Sequence, residues 1–234
     1  MGLVYGSEQA EMTESGEIKT RFNVDGDHLE LVLTPERPPM LVNGNGLIDM
    51  AEGTSSRYYS HTRLKTRGTL QRKDGSILTV EGRSWFDHQW GNFIILFRPY
   101  EWFCFQMDDG SDYNLWETRK WLGFSTTALI NKLMPEGDLS LSEKLHLERT
   151  AWWQSPRTHD YYVTGWNLSL PEFGEFIRVT TDVQDQEMPR VGWLDVPPGY
   201  WEGAVKVLRE NADGTTTRGV GYMEHMPYTR PTKL

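Results

Sequence analysis

Gly82-Arg83-Ser84-Trp85-Phe86-Asp87-His88-Gln89-Trp90-Gly91-Asn92-Phe93 is the densest mixture of titratable and aromatic side chains in the chain. An acid, an imidazole, an amide and two indoles fall within six consecutive residues, and Gly82 and Gly91 frame them. The run in front, Ile77 to Ser84, reads as a strand that Asp74-Gly75 turns back on a long strand, Arg57 to Leu70. The stretch therefore sits where a hairpin strand leaves a sheet. Extended backbone alternates its side chains, so Trp85, Asp87 and Gln89 share one face and Phe86, His88 and Trp90 the other. Asp87 cannot orient His88 directly unless a bulge intervenes.

Outward from this hairpin the same grammar repeats. Glu17 to Val24, Asp25-Gly26 and His28 to Leu33 make a first hairpin, closed by Pro35, Pro38 and Pro39. Residues 1 to 16 are polar without periodicity and read as frayed, and Asn43-Gly44-Asn45-Gly46 opens an irregular loop to about Ser56. Glu101 to Met107 and Tyr113 to Arg119 flank Asp109-Gly110. Thr126 to Leu133 and Leu141 to Arg149 flank Pro135-Glu136-Gly137-Asp138, with strand favoured over helix for the first by its β-branched start. Trp152 to Pro156 reads as a loop, Gly165 to Leu170 and Glu175 to Thr181 as a hairpin, and Pro197-Pro198-Gly199 as the end of an irregular stretch. Tyr200 to Val207, Asp213-Gly214 and Thr216 to Met223 close the series. Short strands joined by Gly-bearing turns indicate an all-β sandwich or barrel. About four strands between residues 17 and 81 cannot close a lipocalin-sized barrel, which takes about eight, so an unpaired edge and self-association through it are expected.

Composition narrows the function. The chain has 234 residues, net charge −9 and a pI near 5.2, which argues against nucleic acid and anionic membranes as partners. Arg63, Lys65 and Arg67 alternate along one strand and read as a solvated face. The single cysteine, Cys104, permits no internal disulfide and no thiolate metal cluster. No histidine pair has a recognised ligand spacing, and HExxH, Walker A and GxGxxG are absent, so no metal and no cofactor are expected. No apolar run of signal-peptide or membrane-span length occurs, which reads as cytoplasmic for the chain as given.

Ten tryptophans and ten tyrosines can fill a β-barrel or line a ligand cavity in one. The cluster at Asp87 likewise has two readings. Trp and His at a strand end pack and satisfy hydrogen bonds, or they serve chemistry.

Trp85-Phe86-Asp87-His88-Gln89-Trp90-Gly91 resembles the hallmark of the lipocalin-like family of AttH proteins, carotenoid 1,2-hydratases and, more distantly, fungal Diels-Alderases. Tyr58-Tyr59-Ser60-His61-Thr62-Arg63-Leu64 is similar to the family's YYS-x-TRL strand, and Ser155-Pro156 with Tyr162 and Trp166 to its SP…Y…W loop. Asp185-Gln186-Glu187, Tyr200-Trp201-Glu202-Gly203-Ala204-Val205 and Gly221-Tyr222-Met223-Glu224 follow in the family order. Val163 stands where proline is usual, and His225-Met226-Pro227 where Leu-Thr-Gly is usual. The resemblance implies lipocalin-like antiparallel β-barrels: residues 1–93 as the closing strands of a first domain, ending in the DHQWG motif, and 94–234 as a complete second domain. More residues normally precede that motif than the 86 here. Either Met1 is internal to a longer product or the chain is a shortened relative, and a lost secretion signal would make the location periplasmic or membrane-associated.

For function the resemblance implies a small apolar ligand, an isoprenoid or polyene, and carotenoid-biosynthesis chemistry. A hydro-lyase reaction or a polyene cyclisation would start by protonation of a C=C bond. Such chemistry needs an acid of raised pKa and aromatic faces that tolerate a carbocation. Asp87, His88 and Glu202 are the catalytic candidates, with Glu117 a further acid. Trp85, Trp90, Trp102, Trp116, Tyr200 and Trp201 are the candidate faces. The other class is a non-catalytic carrier or transporter-accessory protein, in which the Asp87 motif is structural. The donors crowded around Asp87 favour an ionised carboxylate, whose replacement by Asn would cost on the order of 1–3 kcal/mol.

Overall fold

The computed structural model describes residues 2–51, 54–92, 99–118, 126–188 and 199–228. They fall into two compact units, residues 1–41 with 57–90 and residues 42–56 with 91–234.

The first sheet has eight strands. They are β1 (Gly2–Tyr5), β2 (Glu8–Met12), β3 (Ile18–Val24), β4 (Asp27–Pro35), β5 (Met40–Leu41), β6 (Leu47–Ala51), β7 (Thr54–Gln71) and β8 (Ile77–Gly91). The order is β1-β2-β3-β4-β7-β5, with β6 and β8 also paired to β7. Asp25 and Gly26 turn β3 into β4 with φ of 51° and 89°, the positive pair a type I′ turn requires. Ile18, Leu33 and Leu64 form a small buried cluster on one face, and Phe86 packs against it. Phe86 also meets the rings of Tyr59 and His61. Ser60 bonds Asp87 whereas Thr66 bonds Ser84, so the contacts between β7 and β8 shift register between these two points.

The second sheet has ten strands. They are β9 (Tyr100–Met107), β10 (Asp112–Thr118), β11 (Thr127–Leu133), β12 (Leu139–Ser142), β13 (His146–Gln154), β14 (Tyr161–Leu170), β15 (Glu175–Thr180), β16 (Glu187–Met188), β17 (Tyr200–Glu210) and β18 (Thr216–His225). The order is β12-β11-β10-β9-β18-β17-β15-β14-β13, with β16 on β17. Although β10 and β13 are far apart in that order, Arg149 on β13 bonds Glu117 on β10 at 3.0 Å. The sheet therefore curls into a barrel. Its interior is packed: Phe103, Phe105, Trp166, Ile177, Trp201 and Met223 are all at 0 % exposure. Burial of such rings is the largest apolar term available to the unit.

The all-β, lipocalin-like expectation holds. Among the described residues the only helical element is a 3-10 turn, Val42–Gly44, and no helix is long and apolar enough to cross a membrane. Several boundaries need correction. Residues 2–12 are the hairpin β1–β2 rather than frayed chain. They lack a period-two signal because the hairpin lies at a sheet edge, with most of its side chains exposed on both faces. Residues 17–81 contribute to six strands, β3 to β8, rather than about four, and with β1 and β2 the first sheet has eight; β1 pairs only with β2 among the described residues. The loop expected after Asn43 contains β6, and residues 42–56 belong to the second unit, where the Asn43 backbone N–H donates to Asn131 Oδ1 at 2.7 Å. The strand expected over Leu141 to Arg149 is two strands, and β13 continues through Trp152 and Trp153. Phe93, Arg119, Pro197 and Pro198, which entered the sequence reading, lie outside the described residues.

Candidate functional site

In the first unit β8 alternates as its sequence requires. Trp85 and Asp87 share one face with Tyr58 and Ser60 of β7, whereas Ser84 and Phe86 meet Thr66 and Leu64 farther along it. The Ser60 hydroxyl donates to Asp87 Oδ1 at 2.5 Å and the Trp85 indole to the same oxygen at 2.8 Å, and the Tyr58 hydroxyl is a third donor. Tyr58 and Ser60 are buried at 3 % and 0 % exposure, so little water reaches this side of the carboxyl. Burial pushes the Asp87 pKa up, and the donors Ser60, Trp85 and Tyr58 offset only part of it. The direction is opposite to the one the donors alone imply, because neutral hydroxyl and indole dipoles solvate a carboxylate less well than bulk water does.

Glu187 supplies the contrast. It receives Ser155 Oγ at 2.5 Å, Thr158 Oγ1 at 2.6 Å and Tyr162 OH at 2.9 Å, and also the Arg157 guanidinium at 3.0 Å. Burial raises its pKa too, but Ser155, Thr158, Tyr162 and the Arg157 charge together bring it below the ordinary value. A cation makes the difference. Glu187 is thus an ionised tie between the Ser155-Pro156 loop and β16, while Asp87 has no cation of its own in the arrangement described.

On the opposite face of the first sheet His88 Nδ1 and the Tyr59 hydroxyl are 3.2 Å apart, and the His88 ring lies against Trp90 at 4.5 Å. Asp87 and His88 therefore do not form a dyad. Their neighbour His61 is 8 % exposed with no partner for Nδ1 among the described residues, and burial lowers its pKa, so it is a neutral ring at neutral pH. His61 did not figure among the sequence candidates; its position in the Tyr58-to-Leu64 strand facing Phe86 was the available signal. Ser60 and Tyr58 were also missed as partners of Asp87, although they alternate onto one face of the adjacent strand.

The second unit separates the remaining candidates. Trp201 points into the packed barrel and donates its indole N–H to Gln184 O at 2.7 Å. Glu117 is inside as well, bound to Arg149. Glu202, Trp102, Trp116 and Tyr200 lie together on the outer face of β17, β9 and β10. Burial raises the Glu202 pKa. Gly203 is needed beside it because a Cβ there would stand 2.2 Å from the Gln186 amide carbon, and that amide accepts the Ala204 backbone N–H at 2.9 Å. His225 Nε2 lies 3.2 Å from the Val163 backbone carbonyl oxygen.

An AttH protein from Nitrosomonas europaea superposes with a TM-score of 0.83 at 26 % identity, covering 96 % of this chain and 69 % of that one. Kievitone hydratase from Nectria haematococca gives 0.80 at 18 % identity, over 97 % of this chain and 70 % of that one. CghA in complex with Sch210972 gives 0.61 at 11 % identity, over 94 % and 68 %. The last two likenesses are of fold. No curated protein matches the chain significantly. The AttH-like family model matches residues 3–228, and the chain belongs to the AttH-like family.

Proposed function

We propose that this AttH-like chain binds an apolar isoprenoid or polyene and protonates one of its C=C bonds from Asp87, starting a hydration or a cyclisation. The observation that carries the reading is the Asp87 carboxyl itself, held by three neutral donors in a buried setting that raises its pKa. An acid that keeps its proton closer to neutrality transfers it more effectively under working conditions. In the step, the carboxyl O–H bond breaks and a C–H bond forms at the less substituted alkene carbon, leaving a tertiary carbocation and a carboxylate. Water then adds to the cation and returns a proton to the carboxylate, or a second C=C bond adds and a neighbouring C–H is lost. Either course regenerates the acid without a cofactor. The hydratase among the proteins of like fold is in keeping with the first course.

The second reading, a carrier, draws on an open groove of about 730 Å³ on the first unit, lined by Leu3, Ala10, Thr20, Leu31 and Gly68 among others. One assay separates the two. The chain is incubated with lycopene or neurosporene and the products are resolved by chromatography. The catalytic reading expects a hydrated or cyclised product from the unmutated chain, with Asp87→Asn binding the polyene but lowering turnover by at least about a hundredfold, the scale of a lost general acid. Turnover by Asp87→Asn at the unmutated rate removes Asp87 as the acid, and polyene bound without product favours the carrier.

A further inference from the structure

The outer face of the second unit's sheet holds a row of side chains that the Asp87 reading leaves unused. Register places Glu202 on β17 opposite Glu224 on β18, Glu224 opposite Trp102 on β9, and Trp102 opposite Trp116 on β10. Tyr222 lies in the next row, opposite Cys104, and the Tyr100 ring is 5.5 Å from that of Trp116. Like charges directly opposite each other in a ladder repel, so the pair calls for something that offsets it. For Glu224 the Tyr100 hydroxyl is a donor. The Glu202 carboxyl is half-buried and meets no donor or cation of the protein among the described residues.

Its neighbours register that charge. Tyr222 is pushed up to about 12, by burial first and then by Glu202, and Tyr200 is raised by burial and then by Glu202 and Glu224. A second, independent feature stands in the same row. Trp102 is 7 % exposed and its buried indole N–H has no acceptor among the described residues. A buried donor without a partner is costly unless a ligand supplies one. Glu202 and Trp102 are two strand spacings apart, about 9–10 Å at the backbone, a span that their side chains and a small polar molecule bridge.

We infer that this face binds a small organic cation that also carries an oxygen acceptor, an amino alcohol or its quaternary ammonium form. The cation lies between the Glu202 carboxylate and the phenol and indole faces of Tyr222, Tyr200 and Trp116, and the oxygen accepts from Trp102 Nε1. Aromatic faces beside a carboxylate favour an alkylated ammonium, whose shell of water is weakly held. No group of three or more His, Cys, Asp and Glu side chains among the described residues is placed to hold a metal ion. The inference is independent of Asp87 and of polyene chemistry.

Titration calorimetry with choline tests it, with 3,3-dimethylbutan-1-ol as the neutral molecule of the same shape. Choline is expected to bind, and the neutral alcohol to bind at least about tenfold more weakly, the scale of a partly desolvated cation–π and charge contact. Glu202→Gln, which keeps the shape and removes the charge, should weaken choline by about tenfold. Trp102→Phe keeps a ring and removes the donor, and should weaken choline by about threefold or more without improving the alcohol. Circular dichroism of both variants, matching the unmutated chain, confirms the fold. Absence of binding at about 10 mM choline, equal affinity for the two probes, or unchanged choline affinity in folded Glu202→Gln overturns the inference.

Discussion

Arg149→Met is expected to lower the unfolding free energy of the second unit by about 3–5 kcal/mol, the cost of leaving buried carboxylates without their cation. Arg149 reaches across the barrel to Glu101 through Nε at 3.0 Å and Nη2 at 3.2 Å, and to Glu117 at 3.0 Å. Glu101 is at 0 % exposure and also accepts the Tyr228 hydroxyl at 2.6 Å. Burial alone would lower the Arg149 pKa, but Glu101, Tyr228 and Glu117 hold it above the ordinary arginine value, so the guanidinium stays charged throughout. Met keeps an apolar stem like the arginine's own, stops short of the guanidinium and supplies none of the donors. Urea unfolding at neutral pH measures the loss. The loss should shrink in acid, where the carboxyls neutralise themselves by taking up protons. A loss under about 1 kcal/mol, independent of pH, would mean that the pair is solvated like an ordinary surface bridge.

Trp166→Ala should cost a similar amount, about 3–5 kcal/mol. The indole is at 0 % exposure, meets Phe103 edge-on at 5.6 Å and lies 5.9 Å from His225 and 6.4 Å from Trp201. The substitution bears on function as well as stability. A lipocalin-like barrel can be hollow around a ligand or filled by its own side chains. In a filled barrel, truncating one of its largest rings removes apolar contact on all sides and leaves a cavity. Loss of less than about 1 kcal/mol on truncation would indicate a hollow barrel and return the ligand to its interior.

Much of this architecture was legible from short-range patterns. Asp25-Gly26, Asp74-Gly75, Asp109-Gly110 and Asp213-Gly214 each mark a hairpin that is present. The separation of Asp87 from His88 followed from period two alone. What escaped depends on contacts distant in sequence. β2, Glu8–Met12, has no apolar alternation because its pairing is made by backbone to β1 and β3. Arg149 looked like the polar end of a strand, and only the curl of the sheet brings it to Glu101 and Glu117. Trp201 and Glu202 are adjacent in a motif, yet one is core and the other lies outside, a division that alternation allowed but whose direction it left open. For Asp87, counting donors pointed to an ionised group. The sign turned on burial, which depends on Tyr58 and Ser60 closing over it and cannot be read from the motif.

Burial holds the Asp87 pKa above the ordinary aspartate value, about 3.9 in an unfolded chain. A carboxyl whose pKa is raised on folding binds more protons folded than unfolded between the two values. The stability it contributes is present below the unfolded value and is lost as pH rises through the folded one. Asparagine has no such titration. The decisive measurement is therefore the difference in unfolding free energy between the unmutated chain and Asp87→Asn, taken by urea unfolding from about pH 3 to about pH 8. The unmutated chain is expected to lose ground to Asp87→Asn as pH rises above about 4, levelling off once the folded carboxyl has ionised. A difference that is flat above about pH 4 and turns against the unmutated chain only in stronger acid would show a carboxylate stabilised by its donors, and would contradict the assignment of Asp87 as the acid.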